Sequence, residues 1–181
     1  MNKTAQSEFH RLFLIEMLPE SLGPASRHLQ ILDRYIEGTR IRFRQMRDPY
    51  SNERTQILQK RIETSGGAES RSAEVHLDDH EYSLFEQFGG PEIRKNRYFH
   101  EFDMVTYEFD VYLGQLKGLK LARADFETGD EARDFTPPVF SVIEVTNEPF
   151  FSGEHLANKD FSDVASEIER LAAMPQIAIS E

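Results

Sequence analysis

The chain has 181 residues, 39% of them hydrophobic and 29% charged, a size and composition that suit one folded domain and exclude a disordered segment. Its formal net charge of -11 repels nucleic acid and acidic membranes at long range, so any anionic ligand has to be bound locally. No cysteine is available for disulfides or thiolate chemistry, and without a signal-peptide pattern or a membrane-length apolar run the protein is predicted to be cytoplasmic.

Strands are predicted along the first 77 residues, because apolar and polar side chains alternate there as they do in a strand with one buried face. The predicted elements are a strand at 8–15, a loop around Gly23-Pro24, one long extended run at 28–46, a polar turn at 47–53, a strand at 54–63, a turn at Ser65-Gly66-Gly67 and a short strand at 71–77. The turn at 47–53 should join its two neighbouring strands into a hairpin.

The remainder of the chain is predicted to combine further strands with two helices. A helix starts at the acidic residues 78–81 and stops at Gly89-Gly90-Pro91, strands follow at 93–102, 104–113, 119–127 and 139–146, and a capped amphipathic helix covers 161–174. About eight strands with mostly hairpin-length connections favour a mainly β fold of the α+β kind, an antiparallel barrel or sandwich.

Charged residues recur on one face of several of these strands. In Gly38-Thr39-Arg40-Ile41-Arg42-Phe43-Arg44, strand alternation places three guanidinium groups on the same side, which favours an anion. Lys95 with Arg97, Glu108 with Asp110, and Arg123 with Asp125 repeat the pattern on later strands. On pattern alone, such faces are as typical of a sheet exposed to water as of a binding site.

Seven blocks of sequence, in order and in register over most of the chain, resemble the CYTH domain of the triphosphate tunnel metalloenzymes. They are Tyr35-Ile36-x-Gly38 through Arg44, Leu58-Gln59-Lys60, Lys95-Asn96-Arg97-Tyr98, Asp110 to Gly114, Gly118 to Ala122, Glu144-Val145-Thr146, and Phe151-Ser152-Gly153 before Leu156-Ala157. The resemblance implies that residues 1–181 form one domain, an eight-stranded antiparallel closed barrel with a few flanking helices, whose charged faces line a tunnel that holds a polyphosphate.

The resemblance also implies which residues form the site. The phosphate-binding residues would be Arg40, Arg42, Arg44, Lys60, Lys95, Arg97 and Arg123, and the metal ligands would be Glu8, Asp110, Asp125 and Glu144, with Glu108 and His10 as further members. The cofactor implied is Mg²⁺ or Mn²⁺, which bridges the phosphates and the carboxylates. The ligand implied is a small phosphorylated anion, such as a triphosphate, a nucleotide or a polyphosphate, and neither nucleic acid nor a membrane.

The sequence departs from the family on the metal side. The first strand reads Glu8-x-His10-x-Leu12 where the family has Glu-x-Glu-x-Lys or Arg, and Arg123 stands where the family has a glutamate. His10 retains the ability to donate to phosphate or to ligate a soft metal, but it is a poor ligand for Mg²⁺. These changes make the tunnel more positive, which improves it for anions and worsens it for cations.

Three functions remain open from the sequence. The preferred one is binding of a triphosphate, or of another polyphosphate or phosphorylated anion, with weakened or lost metal-dependent hydrolysis. The alternative is an active divalent-metal-dependent triphosphatase or an adenylate cyclase-like enzyme. A structural remnant, whose interior charges form only internal salt bridges, is the third.

Overall fold

The structure of the protein, a computed structural model, describes residues 7–62 and 69–174, without the side chains of residues 7, 8, 69 and 70. The described residues form nine strands: β1 Ser7–Ile15, β2 His28–Tyr35, β3 Ile41–Arg47, β4 Arg54–Ile62, β5 Glu69–His76, β6 Glu92–Phe102, β7 Val105–Tyr112, β8 Lys120–Phe126 and β9 Ser141–Glu144. Four α-helices accompany them: α1 Asp79–Phe85, α2 Gly129–Asp134, α3 Gly153–Leu156 and α4 Phe161–Ala172. Short 3₁₀ helices lie at Glu86–Phe88, Gly114–Leu116 and Pro149–Phe151.

All nine strands belong to one antiparallel sheet in the order β5-β4-β3-β2-β6-β7-β8-β1-β9. The first residues of β1 also pair with β5, with Ser7 opposite Arg71, so a strand near one end of the order pairs with the strand at the other end. The mainly β, antiparallel prediction is confirmed. The sheet contains nine described strands, and the prediction had about eight.

The additional strand comes from the segment 28–46, which is not the single extended run that was predicted. β2 ends at Tyr35 and β3 begins at Ile41, and the Ile36 N–H donates to the Ile41 carbonyl at 3.0 Å to close a hairpin. Gly38 in this turn has a φ of 69°, in the left-handed region that glycine enters without a steric penalty. Arg40 therefore lies in the turn, while the predicted turn at Ser65-Gly66-Gly67 lies outside the described residues.

One face of the sheet is apolar along β7 and β8. Tyr107 and Phe109 are buried there with Ala122, Ala124 and Phe13. Because side chains alternate along a strand, the even-numbered residues of β7 lie on the opposite face. This apolar face thus fixes the register, which places the charged residues of the same strands on the other face of the sheet.

The C-terminal helix α4 packs against a second apolar cluster. The side chain of Asp160 accepts hydrogen bonds from the backbone N–H groups of Ser162 and Asp163, which makes Asp160 the N-terminal cap of α4 and confirms that this helix is capped. Val164 of α4 is fully buried, and Ile168 packs against the same cluster. Helices α2 and α3, of six and four residues, were not predicted because they are too short to show helical periodicity.

In the described part of the chain, no helix combines the length and the apolar character that crossing a membrane requires. The cytoplasmic location and the assignment of residues 1–181 to one domain stay predictions.

Candidate functional site

The charged face of the sheet lines a cavity of about 440 Å³. Each of the strands β1 to β8 contributes to its wall, together with the segment 145–155. Among the described residues, eight cationic side chains line it, namely Arg40, Arg42, Arg44, Arg61, Arg71, Lys95, Arg97 and Arg123. Four carboxylates line it as well, namely Asp33, Asp110, Glu148 and Glu154. A locally cationic cavity therefore lies within a chain whose net charge is -11.

Four of these cations, Arg42, Arg44, Lys95 and Arg97, form what we call the basic wall. Asp33 of β2 positions the first two of them. This carboxylate is almost fully buried and accepts hydrogen bonds from Arg44 Nε at 2.6 Å, from Arg44 Nη2 at 2.7 Å and from Arg42 Nη1 at 3.3 Å. Although burial alone would raise the pKa of Asp33, the positive charges of Arg42 and Arg44 hold that pKa well below its usual range. Asp33 is therefore ionised, and it fixes the orientation of both guanidinium groups.

Asp110 of β7 positions the other two cations of the basic wall in the same way. Its carboxylate accepts hydrogen bonds from Lys95 Nζ at 2.5 Å and from Arg97 Nε and Nη2 at 2.7 and 2.8 Å. Against the effect of burial, these two cations keep the pKa of Asp110 far below its ordinary value. The pKa of Lys95 is lowered to about 8, chiefly by burial, while Asp110 opposes the shift.

Both networks follow from strand pairing. Arg44 lies opposite Asp33 across the β2–β3 pair, and Arg97 lies opposite Asp110 across the β6–β7 pair. Each guanidinium has five N–H donors. Asp33 accepts hydrogen bonds from two donors of Arg44, and Asp110 accepts them from two donors of Arg97. The remaining donors give this wall the capacity to hydrogen-bond the oxygens of a bound anion.

Lys60 is the predicted cation that the structure does not place at the cavity. It is exposed, and its neighbour Arg61 lines the cavity in its place. Strand pairing explains the difference. Gln59 lies opposite Arg42 and so shares its face of the sheet, and Arg61, two residues further along β4, lies on that same face. The other predicted cations, Arg40, Arg42, Arg44, Lys95, Arg97 and Arg123, all line the cavity.

The predicted metal ligands do not converge in the same manner. Asp125 is exposed and accepts a hydrogen bond from Arg123 Nε at 2.8 Å. Glu144 accepts one from Arg11 Nε at 2.8 Å, and neither acid lines the cavity. Asp110 does line it, but its oxygens are taken by Lys95 and Arg97. The side chain of Glu8 lies outside the described part of the chain.

The donor set among the described residues does not fit Mg²⁺ or Mn²⁺. A hard cation needs several oxygen ligands whose charge is not already neutralised. Each described acid of the predicted metal side is paired with a protein cation, and Glu108, the further acidic candidate, is paired with Arg97 at 2.5 Å. The described side chains include no group of three or more His, Asp or Glu placed to hold a metal ion.

His10 of β1 is a further polar residue that lines the cavity. Burial, with the positive charges of Arg123 and Arg61, lowers the pKa of His10 from 6.5 to about 4, although Asp125 opposes the shift. Its Nδ1 atom is buried and has no hydrogen-bond partner in the described part of the structure. A buried polar atom of this kind costs free energy unless a ligand or water satisfies it.

Relative to a His10→Gln variant, the wild type should lose stability as the pH falls below about 6.5. The pKa of His10 is lower in the folded protein than in the unfolded chain, so between pH 6.5 and about 4 the unfolded chain binds more protons and the free energy of unfolding decreases. The difference between the two proteins should change by roughly 1 kcal/mol by about pH 5.5. Urea denaturation of both proteins over this range measures it, and parallel pH profiles would contradict a buried neutral imidazole.

Several cavity residues were not found from the sequence. Asp33 carried a signal, because aspartate is depleted in strands and here sits between Leu32 and Arg34 in a β-rich run. No sequence signal marked Arg61 and Arg71, because only pairing with neighbouring strands decides which face of the sheet their side chains occupy. Ser152 and His155, joined by a 2.7 Å hydrogen bond, also line the cavity; Ser152 lies in a block of the family resemblance, but neither residue was predicted as part of the site.

Comparison with known proteins gives one sequence relative and a shared fold. No family model matches the chain. The chain is 25% identical over 154 residues to an inorganic triphosphatase of Nitrosomonas europaea, a match that covers 83% of this chain and 97% of that protein. The crystal structure of the inorganic triphosphatase NE1496 matches with a TM-score of 0.57 and 22% identity, over 83% of this chain and 93% of that one. A second structure, described as the hypothetical protein NE1496, matches with a TM-score of 0.58 and 22% identity, over 84% and 99%.

Proposed function

We propose that this chain, a divergent member of the CYTH superfamily of triphosphate tunnel proteins, binds a triphosphate or another linear polyphosphate in its cationic cavity. The observation that carries the proposal is the convergence of Arg42, Arg44, Lys95 and Arg97 on one cavity, each held by a buried carboxylate. Buried charges are expensive to maintain, and an arrangement that leaves cations in excess is most simply explained by an anionic ligand.

The proposal includes a closed barrel around the ligand. The pairing of β1 with β5 supports it, because that contact joins the two sides of the sheet and leaves β9 as an addition to β1. In such a cylinder the inward face would enclose the polyphosphate and the outward face would carry the apolar clusters and helices.

Binding would be electrostatic and geometric. Phosphate oxygens would accept hydrogen bonds from the guanidinium groups, as planar forks, and from Lys95 as a point charge. Asp33 and Asp110 would hold those groups in place before the ligand arrives, which reduces the conformational entropy lost on binding. Arg40, Arg61, Arg71 and Arg123 would extend the basic wall along the ligand. The overall negative charge disfavours nucleic acid and acidic membranes as partners.

A second candidate function is metal-dependent hydrolysis of the same ligand. The similarity to an inorganic triphosphatase favours it. The paired state of the described acids favours binding with weakened or lost turnover, because Asp110, Asp125 and Glu144 are each hydrogen-bonded by a protein cation.

Thermal-shift titration with tripolyphosphate, ATP and orthophosphate tests the proposal, alongside an assay for phosphate release with and without Mg²⁺ or Mn²⁺. Because a ligand that binds only the native state raises the melting temperature by mass action, tripolyphosphate should stabilise the protein and orthophosphate should stabilise it less. Metal-dependent phosphate release would establish the second candidate. Absence of stabilisation by all three anions would leave the structural remnant as the explanation.

A further inference from the structure

We infer that the cavity takes its polyphosphate as the metal-free anion, so that Mg²⁺ weakens binding by withdrawing the ligand into its own complex. The inference rests on the proposed function and specifies the form in which the ligand is bound. It arises from the disagreement between the metal that the family resemblance implies and the side chains that the described part of the chain provides.

The described acidic side chains of the predicted metal side are already hydrogen-bonded by protein cations. Asp110 is hydrogen-bonded by Lys95, which is buried, and by Arg97, which is largely buried. To ligate a divalent ion, Asp110 would have to release both cations or hold two positive charges beside a third. Either course is unfavourable in a buried setting, because removal of one partner leaves the others uncompensated.

A cation, Arg123, stands at a position where the family has a glutamate. Arg123 lies opposite Leu12 on β1 and opposite Glu108 on β7, and it lines the cavity. A guanidinium stays protonated at any physiological pH and offers planar N–H donors to phosphate oxygens. Although Asp125 accepts a hydrogen bond from it, this guanidinium places a positive charge in the cavity wall at a position where the family has a carboxylate.

His10 Nδ1 is buried without a hydrogen-bond partner among the described residues, and His10 and Arg123 line the cavity from the paired strands β1 and β8. An imidazole offers no oxygen ligand to a hard cation such as Mg²⁺. Its unpartnered ring nitrogen and the guanidinium of Arg123 are groups that can hydrogen-bond the oxygens of a polyphosphate.

The consequence concerns competition in solution. A polyphosphate chelated by Mg²⁺ has two fewer negative charges, and some of its oxygens are already coordinated. It should be attracted less strongly by a wall that is already cationic. Excess Mg²⁺ should therefore lower the apparent affinity for tripolyphosphate by roughly tenfold or more, a change of about 1.4 kcal/mol per factor of ten.

Isothermal titration calorimetry of the full chain with tripolyphosphate tests this, once in EDTA and once in excess Mg²⁺ at matched ionic strength. Weaker binding in Mg²⁺ is the expected result. Binding that is tighter in Mg²⁺, or that occurs only there, overturns the inference and leaves the proposed function intact. Absence of binding in both conditions overturns both.

A pair of double variants assigns the effect to the two cavity positions. His10→Glu with Arg123→Glu restores acidic side chains, so binding in EDTA should weaken and Mg²⁺ should then improve it. His76→Glu with Arg133→Glu makes the same change of charge at two exposed positions outside the cavity and should keep the wild-type response to Mg²⁺. If Mg²⁺ still weakens tripolyphosphate binding to the first variant, the roles given to His10 and Arg123 are wrong. If that variant does not fold, the wild-type titration still decides the inference.

Discussion

Asp110→Asn should lower the free energy of unfolding by about 3–5 kcal/mol in the absence of ligand, the cost typical of removing one partner from a buried ion pair. The substitution keeps the size of the side chain and removes the charge that Lys95 and Arg97 share. Arg97 retains its ion pair with Glu108, whereas Lys95 loses the carboxylate that balances its charge, so most of the destabilisation should come from Lys95. Because the pKa of Lys95 is already lowered to about 8, deprotonation of Lys95 should relieve part of the cost at alkaline pH.

Urea denaturation at about pH 7 and pH 9 measures this effect, with Asp130→Asn as the matched control. Asp130 is 81% exposed and pairs with Arg133 on the surface of α2, where an ion pair contributes at most about 1 kcal/mol. Tripolyphosphate should stabilise the Asp110→Asn variant as well, since a polyanion supplies negative charge beside the same cations. Equal stability of the two variants would contradict the account of a buried carboxylate that organises the wall.

Arg97→Gln should weaken tripolyphosphate binding by about tenfold to a hundredfold, which corresponds to the 1.5–3 kcal/mol typical of a hydrogen bond to a charged group. Arg97 is positioned by both Asp110 and Glu108, and its pKa is raised above its ordinary value by those carboxylates against the effect of burial. The variant removes a planar group that is held in place before the ligand binds. Arg97→Lys should recover only part of the loss, because an ammonium group cannot form the paired contact.

Arg94→Gln is the matched control for this prediction. It lies on the same strand, three residues away on the opposite face, and its side chain is 64% exposed and paired with Glu92. Calorimetric titration should give the Arg94 variant the affinity of the wild type. If both variants bind with equal affinity, the basic residues act only through the overall charge of the molecule and the proposed site is wrong.

The strands were predictable because their alternation is strong, and the charged faces followed from the same alternation. The failures came where the fold depends on contacts between distant residues. The run 28–46 alternates throughout, so its break depended on Gly38 and on a hairpin hydrogen bond that periodicity does not reveal. Lys60 and Arg61 are adjacent cations on one strand, and only the pairing of Gln59 with Arg42 decides which of them faces the cavity.

The candidate site was predictable in its cations and not in its counter-ions. The basic residues lie in blocks that resemble a known family, so their common location could be expected from the sequence. Asp33 has no role in those blocks, yet it accepts three hydrogen bonds from two of the predicted cations. Ion pairs such as Arg11 with Glu144 join residues 133 positions apart, and no local pattern marks them.

The central claim is that the cations of β3 and β6 bind a polyphosphate inside the cavity. A crystal structure of the full chain grown with tripolyphosphate in EDTA tests it most directly. The account predicts one polyphosphate in the cavity, with oxygens within hydrogen-bonding distance of Arg42, Arg44, Lys95 and Arg97. A cavity without the anion, while the ligand occupies only the outer surface, would contradict it.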